Sequence, residues 1–136
     1  MMSSSYGNIL GVDRGSKYIW LAYVNPNLKI ILPIWYIEND PSMFFNLWEI
    51  IQRYKIWDIV VWKPSDKKIA KAIESFVEQL KYVVGDKIKI EIEDEDFSSV
   101  EASSLEGDFA KTPSTDTIAA MIILKRYLQR LDWLDK

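Results

Sequence analysis

The 136-residue chain contains no cysteine and no histidine, and only five glycines and five prolines. The missing cysteine excludes disulfides and thiolate metal sites, and the missing histidine removes imidazole ligands and bases. Ser–His–Asp and Cys–His catalysis are therefore impossible here. No apolar run reaches the roughly 18–20 residues that span a bilayer. Residues Met1 to Asn8 are polar and lack the basic-then-apolar pattern of a secretory signal, so a cytoplasmic protein with no membrane partner is expected. What remains for chemistry is carboxylates, hydroxyls, lysines or a hard metal ion.

Nearly half of the residues are hydrophobic (49%), enough to bury the core of a single domain over residues 1–136. The formal net charge is −3. It is unevenly distributed: eight of the 20 acids fall between Glu91 and Asp108, a stretch without Lys or Arg, and the rest of the chain is basic. Overall sign is thus a poor guide to whether the partner is a polyanion.

Asn8 to Asp13 reads as an apolar strand buried on both faces and ending in a carboxylate. Arg14-Gly15-Ser16 supplies a turn in which Gly15 would take φ > 0. Lys17 to Val24 and Lys29 to Ile37 follow as strands, separated by the turn Asn25-Pro26-Asn27, and such short turns imply antiparallel neighbours. Asp40-Pro41 opens a helix carrying Phe44, Leu47, Trp48 and Ile51 at helical spacing. Trp57 to Trp62 reads as a fully apolar strand. Ser65-Asp66 begins a helix with the stripe Ile69, Ala72, Ile73, Phe76 and Leu80. Lys87 to Glu93 alternates strictly, the pattern of an edge strand with one wet face. Ser98-x-x-Glu101 resembles a capping box for a short helix. Pro113 opens a long helix carrying Ile118, Ala119, Ile122, Tyr127 and Leu131. Right-handed crossovers then give an α/β domain with a five-stranded mixed sheet in the order 3-2-1-4-5, flanked by helices.

Sites in open α/β sheets form at the carboxyl ends of the parallel strands. Asp13 ends the first strand, Asp94-Glu95-Asp96 ends the fifth, and Asp116 opens the last helix. Carboxylates converging on one point repel unless cations hold them, and Mg²⁺ or Mn²⁺ prefers all-oxygen ligands. Each acid also has a plain structural role open to it: turn chemistry for Asp13, a solvated face for the strand-five acids, a helix-dipole partner for Asp116. Basic residues in loops or helix starts at this edge, Arg14, Lys17, Lys63, Lys67 and Lys111, are candidates for holding a phosphate backbone.

Three motifs carry a resemblance. Ile9-Leu-Gly-Val-Asp13-Arg-Gly-Ser-Lys17, Asp94-Glu-Asp-Phe-Ser-Ser-Val-Glu-Ala102, and Asp116-Thr-Ile-Ala-Ala-Met-Ile-Ile-Leu124 with Tyr127-Leu128 resemble, in order, the signatures of the YqgF/RuvX family. Its members are RNase H-like proteins described as Holliday junction resolvases or as nucleases maturing the 5′ end of pre-16S ribosomal RNA. The first motif is shared with sugar kinases and actin-like ATPases, for whose two-lobed fold this chain is far too short. The other two, about twenty residues apart, are more specific. The resemblance implies an RNase H-like fold, metal binding and catalysis by Asp13, Glu95 and Asp116, and Mg²⁺ or Mn²⁺ as cofactor. Lys17 matches a family lysine that could reach a phosphate, and Ser98 and Ser99 match a Thr-Thr pair. Strand alternation turns Asp94 and Asp96 away from Glu95's face.

The expected partner is nucleic acid, either structured precursor RNA or a branched DNA junction. The protein would be a monomer or, since junction resolution needs two cuts, a symmetric homodimer. A catalytically weak or inactive nucleic-acid-binding module is the alternative, for the chain departs from the pattern. Asp96 and Tyr18 replace family arginines, Trp62-Lys63 replaces Gly-Leu, and Trp20 replaces glycine. Packed interiors resist so large a volume increase. Either the core is repacked with aromatics, or the source gene reads as glycine the TGA codons translated here as tryptophan. The second reading predicts TGA at both Trp20 and Trp62, and sequencing the gene checks it: TGG at both overturns it.

Overall fold

The computed structural model describes residues 7–94 and 115–135. The elements are β1 (Asn8–Arg14), β2 (Tyr18–Asn25), β3 (Ile30–Glu38), α1 (Met43–Arg53), β4 (Ile56–Lys63), α2 (Lys67–Val84), β5 (Lys89–Asp94) and α3 (Thr115–Asp135). They form one five-stranded sheet in the order β3-β2-β1-β4-β5, as expected. Strand β1 is antiparallel to β2 and parallel to β4, and β4 is parallel to β5. The carboxyl ends of β1, β4 and β5 therefore share one edge. The Ser98 to Glu101 segment and Pro113 lie outside the described residues.

Period-two alternation along the strands divides the core between two faces. Leu10, Val12, Leu21, Ile59 and Val61 join Leu47 and Ile51 of α1 and Ile73, Phe76 and Leu80 of α2. On the other face Ile9, Ala22, Val24 and Val60 pack against Ala120, Ile123, Leu124 and Tyr127 of α3. Each fully buried aliphatic side chain contributes about 1.5–3 kcal/mol. The two-sided burial explains why β1 and β4 read as near-continuous apolar runs.

Several local expectations are corrected. The first helix begins at Met43 rather than beside Pro41, because Asp40 Oδ1 accepts hydrogen bonds from Ser42 N and Oγ at 2.9 and 2.7 Å and closes a turn first. Helix α2 starts as expected, Asp66 accepting from the backbone of Lys68 and Ile69. Its buried stripe is nevertheless Ile73, Phe76, Val77, Leu80 and Val84, with Ile69 and Ala72 exposed. The last helix buries Ala120, Ile123, Leu124 and Tyr127, while Ile118, Ala119 and Ile122 flank that stripe half-buried. Strand β4 is not fully apolar, since it carries the half-buried Asp58. Gly15 does not take a positive φ. Its value is closeness: its N–H bonds Tyr18 O at 2.8 Å, and a Cβ there would sit 2.9 Å from that same oxygen.

Trp35 has φ of 127°, a backbone conformation that side chains other than glycine's rarely adopt. It lies at a bulge where β3's register on β2 shifts between the pairs Leu21↔Trp35 and Ala22↔Pro33. The indole is 59% exposed and packs edge-on against Trp20 and tilted against Tyr36. A third tryptophan thus stands where glycine chemistry would serve better, and the TGA expectation extends to its codon. Strain at such a residue costs on the order of 1–3 kcal/mol. Because the residue is more than half exposed, relief of this strain should outweigh the lost ring contacts, and Trp35→Gly should stabilise the fold by about 1 kcal/mol and raise Tm by several degrees. A thermal melt that shows no rise, or a fall, contradicts this.

Candidate active site

The site edge begins at Gly11. A Cβ on that residue would lie 2.7 Å from Leu124 Cγ and 2.9 Å from the Ala120 carbonyl, so α3 rests on the backbone of β1. Asp13 follows two residues later on the same face and is half-buried. It pairs in register with Trp20, which packs partly buried beside α3. The turn after Asp13 is held from outside: Asn39 donates from Nδ2 to Gly15 O at 2.9 Å and from its backbone N to Lys17 O at 3.0 Å. Asp116 lies in the first turn of α3, four residues before Ala120, and its side chain is outside the description. Glu95 and Lys111 fall outside the described residues. Of the three expected ligands, Asp13 alone has a described side chain, and among the described residues no cluster of three metal-ligating groups forms.

The basic candidates separate by face. Arg14 and Lys63 alternate onto the side of α1 and α2. The Arg14 guanidinium lies 5.5 Å from the Phe76 ring centre. Lys63 Nζ bonds Glu74 Oε2 at 2.9 Å and stands 3.9 Å from Asp94 Oδ2, which puts Asp94 on that side too. Lys17 is exposed in the turn beyond Asp13, with Nζ 5.6 Å from the Tyr18 ring centre. Lys67 is exposed at the start of α2. A cavity of about 700 Å³ lies at the opposite end of the sheet, lined by Trp48, Ile51, Trp57, Val84 and Ile88 among others. Among the described residues no acid lines it, and Asp13 is not part of its lining.

The face of β5 expected to be wet is covered by α3. Glu93 is 1% exposed and forms an ion pair with Arg130 Nη2. Arg126, itself 4% exposed, stands close enough to act on the same carboxylate, and its guanidinium lies over the Trp62 ring at 4.6 Å. Burial raises the Glu93 pKa, an effect that Arg130 and Arg126 oppose. One turn before Arg130, Tyr127 donates from its hydroxyl to Glu91 Oε2. Burial and the Glu91 carboxylate lift its phenol well above the ordinary value. Asp58 on β4 is likewise raised, chiefly by burial, with Lys89 opposing and Glu91 adding. These groups escaped the sequence reading. Their signal was two arginines spaced i, i+4 in the second half of the last helix, opposite glutamates alternating along a strand.

The topology matches known folds. Among solved structures, the resolvase of fowlpox virus aligns with a TM-score of 0.56 at 16% identity, covering 90% of this chain and 99% of that one. The RuvC of T. thermophilus, solved in complex with a Holliday junction substrate, gives 0.59 at 13% identity, covering 93% and 96%. The architecture is accordingly the RNase H-like fold of the resolvases. A family model for RuvX, described as Holliday junction resolvase, matches residues 7–130, and the chain belongs to that family. A relative from Sulfurihydrogenibium sp. (strain YO3AOP1), named "Putative pre-16S rRNA nuclease", is 33% identical over 133 residues, covering 92% of each chain. One of the same name from Malacoplasma penetrans (strain HF-2) is 32% identical over 138 residues, covering 93% of this chain and 97% of its own.

Proposed function

We propose that the protein is a divalent-metal-dependent endonuclease that hydrolyses phosphodiester bonds in structured RNA, in the maturation of the 5′ end of pre-16S ribosomal RNA. The observation that carries this is the seating of α3 on β1 at Gly11, next to Asp13. Asp116 precedes the Ala120 contact by four residues, about 6 Å of helix axis. Glu91 and Glu93 belong to the α3 face, and Glu95 is the next glutamate in that alternating sequence. Full-length likeness to relatives named for this substrate supports the choice of RNA.

The donor set fits Mg²⁺ or Mn²⁺, since the chain offers oxygen ligands and neither histidine nor cysteine. Asp13, Glu95 and Asp116 would hold the metal. Such ions activate a water and neutralise charge on the leaving oxygen of a phosphodiester. Around them, Lys17 and Lys67 are free of the α1–α2 packing and suited to backbone phosphates. Arg14 and Lys63, directed to the other face, would contribute only at the rim. A junction-resolving activity is the second reading, supported by the family model's description and the resolvase folds.

Cleavage of a 5′-extended precursor RNA and of a four-way junction in Mn²⁺ tests both. The expected result is cutting of the RNA, lost about tenfold or more in Asp13→Asn and in Glu95→Gln and little changed in Asp94→Asn. Junction cutting alone shifts the assignment to the second reading. Cutting that survives Asp13→Asn contradicts both.

A further inference from the structure

Burying an ion pair seldom adds stability, because the desolvation of both charges offsets their attraction. Yet Glu93 is buried at 1% exposure in the seam between β5 and α3, paired with an Arg130 whose side chain is 43% exposed, while Arg126 lies buried in the same seam. Glu93 Oε1 is bound by Arg130, while its buried Oε2 receives no hydrogen bond among the described residues. A carboxylate so situated contributes little as glue. What it does fix is position. Arg130 binds that carboxylate from α3, with the Arg126 charge one turn earlier in the same seam, so a slide or rotation of the helix by one residue would take Arg130 from Glu93 and leave it buried and uncompensated. A penalty of that kind selects one register among several that an apolar seam would tolerate.

Of the expected metal ligands, Asp116 lies on α3 and Glu95 follows β5 in the sequence. Glu93 precedes Glu95 by two residues, and Arg126 and Arg130 share a helix with Asp116. On the same helix, Ala120 and Leu124 rest on Gly11, beside Asp13. We infer that Glu93, gripped by Arg130, is a positioning residue that sets the register of α3 on the sheet and thereby the spacing of the metal-holding carboxylates. The inference rests on the metal reading above and concerns residues for which that reading has no use.

The test measures Mn²⁺ binding directly by calorimetry, with Tm recorded for each protein. In Glu93→Met/Arg126→Met/Arg130→Met the two buried charges and the exposed Arg130 that pairs with Glu93 become apolar together, leaving no buried charge unpaired, so the fold should persist with Tm equal or higher. Mn²⁺ should nevertheless bind about tenfold or more weakly, the usual cost of losing groups that hold ligands in place. Arg130→Lys keeps the charge and the fold but loses the fixed fork of donors, and should fall between the two. Unchanged Mn²⁺ affinity in Arg130→Lys and in a folded triple variant overturns the positioning role while leaving the metal site standing. Should the triple variant fail to fold, Arg130→Lys decides alone: intermediate affinity supports the role and wild-type affinity overturns it. Absence of Mn²⁺ binding by the unaltered protein overturns the metal reading, and this inference with it.

Discussion

Helix α3 can lie on the central strand because Gly11 has no side chain. With Leu124 and the Ala120 carbonyl inside the space a Cβ would need, any other residue there would push the helix outward. That contact settles how one whole face of the sheet is closed. Ile9, Ala22, Val24 and Val60 are buried under α3, and the Glu91 and Glu93 side of β5 is covered by its second half. It also keeps the helix that begins at Thr115 beside the strand that ends in Asp13-Arg14.

The two faces of the sheet solve their packing differently. Against α1 and α2 the seam is aliphatic with Phe76 at its centre, and the nearby ionised groups, Lys63, Glu74 and Asp94, sit at its rim. Against α3 an aliphatic half gives way, toward β5, to a polar half built from Glu91, Glu93, Arg126, Tyr127 and Arg130. An apolar half would hold the helix as firmly. A polar one restricts where along the sheet it can sit, and restriction matters most where side chains from separate elements must meet within ångströms.

Much of the architecture could be read from pattern alone. Turns of three and four residues at Gly15 and Pro26 forced β1, β2 and β3 into antiparallel contact, and right-handed crossovers placed β4 and β5 on the other side of β1. The start of α2 at Ser65-Asp66 was recognisable too, and there the Asp66 carboxylate serves the backbone amides of Lys68 and Ile69. The failures share a cause. Alternation in β5 reveals two faces but not what covers each, so the face taken as wet proved buried under a helix distant in sequence. Helical periodicity gave α3 but placed its stripe beside Ile118, Ala119 and Ile122, because Arg126 counts as polar and yet is buried. The conformation of Trp35 leaves no trace in composition or periodicity. Of the candidate site, Asp13 at a strand end was legible, whereas the Glu93–Arg130 contact required knowing which strand α3 crosses.

The account's central claim is that Asp13, Glu95 and Asp116 form one divalent-cation site. Thermal melts in EDTA and in Mn²⁺, for the protein and for Asp13→Asn/Asp116→Asn, address it most directly. The account predicts that Mn²⁺ well above Kd stabilises the unaltered protein by about 1–3 kcal/mol and leaves the double variant unmoved. An equal shift in both, or none in either, would contradict it.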